Sequence, residues 1–243
     1  MLITGGTRGI GLAVAEAYAR QGSMVMVSGG HDAEALGEAV ARLRRLQADA
    51  AGDLVDVRDG HQVGAWITRV VERWGRIDVA IANAGIIRPA PFLELSEQQW
   101  DEVTGTHLKG AFLVLQAVAR TMIDRHIPGS LITVTAPAAV RASTGVLDYA
   151  SAKGGIIALT RNLAKELAPW DIRVNAILPV AETRMTDALR EFRQVDRDGW
   201  AQSHPGGKMP QPADIVAPFL FLGSPESRFV TGQVLGVDAG RSL

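Results

Sequence analysis

The stretch DYASAK, Asp148 to Lys153, sets a tyrosine and a lysine four residues apart in an Ala/Ser background suited to a helix. That spacing is about one helical turn, so Tyr149 and Lys153 project from the same face. A phenol beside an ammonium can hold a proton ready for transfer. Its ordinary pKa of about 10 drops by roughly 1 to 3 units when a cation lies within a few ångströms. The same spacing also suits two residues packing at the edge of a core, and the surrounding elements must decide between the two.

A second stretch carries chemistry of another kind. TGGTRGIG, Thr4 to Gly11, includes Gly5, Thr7, Arg8, Gly9 and Ile10, follows an apolar run and opens a helical pattern. Backbone N–H groups at such a helix N-terminus can receive a pyrophosphate, and glycine permits the close approach. The glycine spacing differs from GxGxxG, and a glycine-rich turn taken alone is equally a tight loop.

The elements that would position these residues alternate along the chain. Short β-rich runs fall at 2–4, 24–28, 52–57, 78–83, 130–135, 172–178 and 233–238. Most are unbroken apolar runs, the pattern of a buried parallel sheet. Between the first two, Ile10, Ala13, Val14, Ala17 and Tyr18 recur at helical spacing, and Gly22 can end that helix in the left-handed conformation. Ser96 to Gln99 has capping-box form ahead of a helix whose inner stripe runs Val103, His107, Gly110, Ala111, Val114, Val118. A later helix carries Tyr149, Lys153, Ile156, Thr160, Leu163 and Leu167 on one side and stops before Pro169.

No internal repeat or interdomain linker interrupts the pattern. It predicts an α/β fold of the Rossmann-like doubly wound type, a seven-stranded parallel sheet flanked by helices, with residues 1–243 as one domain. The least regular part, residues 181–210, is rich in charge, scatters Met185, Phe192 and Trp200, and reaches Gly206-Gly207 near its end; it is a candidate substrate lid.

Composition narrows the partners. Lys plus Arg is 25 against Asp plus Glu 26, a formal net charge of -1, which gives no reason to expect nucleic acid or an anionic membrane surface. With no cysteine, disulfides, thiolate zinc sites and cysteine nucleophiles are excluded, and no metal site is expected. The N-terminus has no signal-peptide form and there is no 18-residue apolar run, so the expectation is a cytoplasmic protein acting on a small molecule.

These motifs together resemble the short-chain dehydrogenase/reductase family, whose TGxxxGxG signature matches Thr4, Gly5, Gly9 and Gly11. Asp56, followed by Val57, stands where the family holds the adenine. Asn83-Ala84-Gly85 matches the NAG after the fourth strand, and Tyr149 and Lys153 match the active-site pair. The resemblance covers essentially the whole chain. It implies hydride transfer between a nicotinamide cofactor and a carbonyl or alcohol, with Tyr149 as the acid/base and Lys153 tuning it and bonding the cofactor ribose. NAD-preferring relatives place an acid where this chain has Gly29, so with Arg8 available for a 2'-phosphate the reading favours NADP(H), with NAD(H) the alternative. Gly30 lacks the arginine of many NADP-preferring relatives, and Arg8 and His31 can also be plain surface residues.

The chain departs from the family pattern in three places. The serine that binds the substrate oxygen, thirteen residues before the tyrosine, is Ala136; Thr135 is adjacent but faces the other side of a strand, and Ser143 either reaches in or caps a turn. His107 aligns with the asparagine that holds a relay water, a task a neutral imidazole can also perform, unless it is simply a packed residue. Past the sixth strand Pro179 is followed by Val180 instead of glycine, with Thr183, in preference to Thr186, as the hydroxyl for the nicotinamide carboxamide. HLKG at 107–110 occurs in relatives acting on hydroxyacyl thioesters, which places a 3-oxoacyl thioester ahead of cyclic ketones or sterols. Asp238 in the final VDAG resembles the family's subunit contact and implies a homo-oligomer, a tetramer or dimer. The alternatives are a protein of the same fold that binds ligands without redox chemistry, or a reductase in which Ala136 is an introduced substitution.

Overall fold

The computed structural model describes residues 1–46, 48–202 and 207–242, apart from the side chains of Arg197 and Trp200. Seven strands form one all-parallel sheet: β1 (Leu2–Thr4), β2 (Val25–Gly29), β3 (Ala50–Leu54), β4 (Val79–Ala82), β5 (Gly129–Val134), β6 (Ile172–Pro179) and β7 (Val234–Val237), in the order β3-β2-β1-β4-β5-β6-β7. All seven expected runs are strands. The third is displaced, ending at Leu54 rather than 57, because Gly29, its last partner, is the final residue of β2.

Side chains on successive strand residues go to opposite faces, and the core divides accordingly. Leu2, Met26, Ala80 and Leu131 join a cluster with α3 (Gly60–Trp74), α5 (Gly110–Asp124) and α6 (Leu147–Leu167), built around Trp66, Leu115 and Ile156. Ile3, Val27, Ile81 and Ile132 join a second cluster on the other face with α1 (Gly9–Arg20), α2 (Ala33–Arg45) and α9 (Ala217–Gly223). Strands buried on both faces are what the unbroken apolar runs require.

Local caps set the helix entries. The Asp32 carboxylate accepts from Ala35 N at 3.0 Å to start α2, and that of Asp59 accepts from His61 N at 2.8 Å to start α3. Gly22 and Gly75, after α1 and α3, take φ of 76° and 74°, the left-handed conformation expected at a helix end. Ser96 caps α4 (Glu97–Thr104) by accepting from Gln99 N at 3.2 Å, but only half of the expected capping box forms: Gln99 Nε2 donates to Arg88 O at 2.6 Å instead. A π-helical turn, Gly105–Lys109, joins α4 to α5. In the expected lid, α7 (Arg184–Arg193) and α8 (Arg197–Gln202) are helical, whereas the Trp200 side chain and Gly206 lie outside the described residues.

The chain runs from β1 outward through β2 and β3, then returns to lay β4 on the other side of β1. Where strand order reverses, the loops after β1 and β4 diverge and leave a crevice at the carboxyl ends of the strands.

Candidate active site

The two loops flanking that crevice are tied together. Thr4 Oγ1 accepts from Asn83 N at 3.0 Å and Ala84 N at 2.9 Å, while Asn83 Nδ2 donates to Thr4 O at 3.0 Å and Gly5 O at 3.2 Å. Gly5 and Gly9 have φ of 65° and 55°, and a Cβ on Gly11 would lie 2.1 Å from Gly5 O. Three of the glycines thus answer to positive φ or close approach. No side chain caps the start of α1, so its first N–H groups remain available to an anion. This cradle fits a dinucleotide pyrophosphate, with Ile10 on the first turn of the helix beneath it.

The end of β2 is shaped by sterics. A Cβ on Gly29 would fall 2.9 Å from Thr7 Cγ2, so an acid there would have to displace Thr7. Arg8, expected to await a 2'-phosphate, bonds Asp32 Oδ2 through Nη2 at 2.5 Å. The Ala35 N–H first, and Arg8 second, hold the Asp32 carboxyl below its usual range. Asp56 is similarly engaged: Arg58 Nη2 lies 2.7 Å from its Oδ2, and that contact lowers its pKa. Val57 beside it is buried, its Cγ2 2.7 Å from where a Cβ on Gly110 would stand.

Deeper in the crevice three side chains meet. The Lys153 ammonium lies 5.6 Å from the Tyr149 ring centroid and donates to Val134 O at 2.6 Å. The His107 ring meets Tyr149 edge-on, with centroids 5.0 Å apart and an 86° interplanar angle. The π-helical turn presents His107 to the loop after β4, where its Nε2 is 2.7 Å from Ile86 O. The same Nε2 lies 3.1 Å from Ile86 N, so it donates to Ile86 O in one tautomer and accepts from Ile86 N in the other, while Nδ1 is buried with no partner among the described residues.

Burial dominates the protonation of this trio. It pushes the Tyr149 phenol up and brings Lys153 down to about 7. The expected lowering of Tyr149 by its neighbour does not appear: burial is the cause that acts on the phenol, and it draws the Lys153 ammonium toward its neutral form as well. His107 is held well below its usual value by burial first and the Lys153 charge second, against the Ile86 hydrogen bond. It is a neutral imidazole at physiological pH.

Ala136 is buried at the end of β5, and neither alternative hydroxyl is directed to it. Thr135 Oγ1 donates to Lys153 O at 2.9 Å, as strand alternation requires, and Ser143 Oγ accepts from Arg193 Nη2 at 2.7 Å. Pro179 ends β6 and Val180 N donates to Val237 O at 3.0 Å. Thr183 caps α7 in a reciprocal capping box with Thr186, and its Cγ2 is 3.6 Å from where a Cβ on Gly9 would be. The start of α7 therefore sits against the glycine loop.

Three residues escaped the sequence reading. Asp32 drew no reading, although an Asp ahead of a helical pattern is a capping signal; Asp148 was noted only as the start of the Tyr–Lys stretch, and Arg193 only as one charge among many in residues 181–210. Asp148 Oδ1 accepts from Tyr149 N at 2.7 Å and is buried. The helix-cap position of Asp32 was legible locally; its ion pair depends on loops 24 residues apart.

Comparison with known proteins agrees with this geometry. Residues 5–242 match the family model described as enoyl-(acyl carrier protein) reductase. The chain is 38% identical to the 3-oxoacyl-[acyl-carrier-protein] reductase FabG of Thermotoga maritima, covering 98% of this chain and 96% of the relative. It is 36% identical to the (2S)-[(R)-hydroxy(phenyl)methyl]succinyl-CoA dehydrogenase subunit BbsD of Thauera aromatica, covering 100% and 96%. Among solved structures, an actinorhodin polyketide ketoreductase with NADPH superposes with a TM-score of 0.94 at 30% identity, covering 99% of this chain and 96% of that one. A short-chain type dehydrogenase/reductase from Mycobacterium marinum gives 0.89 at 31% identity, covering 99% and 94%. The chain therefore belongs to the short-chain dehydrogenase/reductase family of NAD(P)-dependent oxidoreductases.

Proposed function

We propose that the protein reduces the ketone of a 3-oxoacyl thioester, or oxidises the corresponding secondary alcohol, with NADP(H) as preferred cofactor. The observation that carries this reading is the buried trio, Lys153 Nζ at 5.6 Å and His107 at 5.0 Å from the Tyr149 ring, beside a glycine cradle suited to a pyrophosphate. A bound nicotinamide supplies or accepts the hydride. Thr4, Gly5, Thr7, Gly9, Ile10 and Gly11 would hold the pyrophosphate end, Asp56 and Val57 the adenine, and Asn83, Ala84, Gly85, Pro179 and Thr183 the nicotinamide half. The lack of a ribose-binding acid at Gly29, where the Thr7 methyl lies in the space its Cβ would take, supports NADP(H); Arg8 would turn from Asp32 to a 2'-phosphate.

In this reading Tyr149 gives its proton to the substrate oxygen as charge develops there. Burial raises its pKa, which keeps the phenol protonated and makes it a weaker acid than a free phenol until a neighbouring positive charge offsets that effect. Lys153, which donates to Val134 O, would reach the cofactor ribose and stabilise the phenolate. In the tautomer that donates to Ile86 O, the Nδ1 of His107 would accept a water proton and carry the relay from Lys153 outward. We treat residues 1–243 as one unit, with 181–210 covering the substrate, working in the cytoplasm as a homo-oligomer. Exposed Phe112, on α5, and Leu235, on β7, are apolar surface that subunit contact would cover.

A second reading has its own support. Ala136 offers no donor, and Thr135 and Ser143 are engaged elsewhere, which favours a ligand-binding protein of the same fold. The test is to titrate NADPH and NADH, then follow absorbance loss with a panel of ketones for the wild-type protein and Ala136→Ser. A rise of about a hundred- to a thousandfold in the variant is expected if Ala136 replaces an oxyanion donor. Cofactor binding with no turnover in either protein would establish the second reading instead.

A further inference from the structure

Arg8, in the glycine loop, and Asp32, at the start of α2, are 24 residues apart in the chain and meet with Nη2 2.5 Å from Oδ2. Their side chains keep 40% and 43% of their surface exposed, so the pair is open to solvent and to an incoming ligand. The other Asp32 oxygen accepts from Ala35 N at 3.0 Å, which fixes the carboxylate on the first turn of α2. Gly29, the last residue of β2, cannot carry an acid unless Thr7 moves, since a Cβ there would fall 2.9 Å from the Thr7 methyl. The acid beside Arg8 therefore comes from the helix that follows β2 and not from the strand itself.

We infer that Asp32 is a specificity-determining residue that limits the preference for NADP(H) over NAD(H) by holding Arg8 and keeping a negative charge beside it, which rests on the reading of Arg8 as the partner of the 2'-phosphate. A phosphate monoester bears a charge of about -1.5 to -2 near pH 7. To pair with it, Arg8 must leave Asp32 or share it, and the phosphate then lies within a few ångströms of a carboxylate that repels it. The Ala35 N–H and Arg8 both favour the ionised form of Asp32, so that charge is present wherever the phosphate is. NAD(H) has a neutral hydroxyl at the same place; it asks nothing of Arg8 and meets no such repulsion. Exposed ion pairs are weak and are screened by salt, which sets the expected effect at about three- to tenfold.

The test is calorimetric titration of the whole chain with NADPH and NADH, and with adenosine 2',5'-bisphosphate and AMP as fragments that carry or lack the 2'-phosphate; no turnover is needed. Asp32→Asn keeps a helix cap and removes the charge. In that variant the ratio of the NADH to the NADPH dissociation constant is expected to rise about three- to tenfold over wild type, the AMP-to-bisphosphate ratio to rise with it, and both gains to diminish with salt. Glu34→Gln makes the same change of charge at an exposed acid on the same turn of α2 and should leave both ratios as they are in wild type. Arg8→Gln examines the underlying reading by itself and should lower both ratios. If it does so while Asp32→Asn leaves them unchanged, the role of Asp32 is refuted and Arg8 keeps its assignment. Ratios untouched by Arg8→Gln overturn both. A rise as large in Glu34→Gln as in Asp32→Asn would mark a general effect of net charge and also refutes the role of Asp32.

Discussion

At the scale of single residues, the buried Lys153 sets the clearest thermodynamic signature. Burial lowers its pKa from 10.5 to about 7. Below pH 7 both folded and unfolded chains carry the proton and the folded state bears the desolvation penalty. Between about 7 and 10.5 the unfolded chain binds more proton than the folded one, so stability rises with pH from this group, by at most about 1.4 kcal/mol per pH unit. Urea denaturation of the cofactor-free protein at pH 7 and pH 9.5 should therefore show wild type gaining stability relative to Lys153→Met. A pH-independent difference between the two would contradict the buried ammonium. Tyr149→Phe removes the proton donor and should abolish any ketone reduction measured for the wild type; retained activity would remove the phenol from the mechanism.

At the scale of elements, the π-helical turn between α4 and α5 and the loop after β4 fit each other closely. A Cβ on Gly85 would stand 2.1 Å from His107 Cε1, a distance no real pair of carbons accepts. Gly85→Ala must move the imidazole and should destabilise the protein by about 1 to 3 kcal/mol. Because the clash is with that one ring, the loss should be smaller in a His107→Ala background. A double-mutant cycle by denaturant unfolding checks this, and additive losses would show that some other contact is responsible. The half-formed capping box at Ser96 has a related cause. Gln99 is drawn to Arg88 O and Asp148 Oδ2, at 2.6 and 3.4 Å, and so helps brace the Tyr149 helix.

For the whole molecule, the proposed homo-oligomer would need an apolar contact surface. A groove of about 650 Å³ lies between α4, α5 and α6, lined by Leu108, Phe112 and Leu159 with Arg58, Asp101 and Lys109 at its edges. Charging its centre with Phe112→Glu should shift the protein to a smaller species in sedimentation velocity, with the monomer fold retained by circular dichroism. An unchanged sedimentation coefficient would place the subunit contact elsewhere, such as at β7.

Much of this was legible without coordinates because it follows from local periodicity. Mostly apolar strand runs, the stripe from Val103 to Val118 and the Tyr149–Lys153 face all reflect burial patterns that one chain segment carries by itself. Glycines at 5, 9 and 11 were likewise marked by motif, and the backbone conformations and close contacts agree. What only the tertiary structure decided were meetings between distant segments: Arg8 with Asp32, Arg193 with Ser143, His107 with Ile86, and Arg141 with the Arg241 carbonyl. The protonation of Tyr149 belongs with them. A nearby cation is visible at a spacing of four residues, but desolvation depends on everything packed around the pair, and here that effect is the larger.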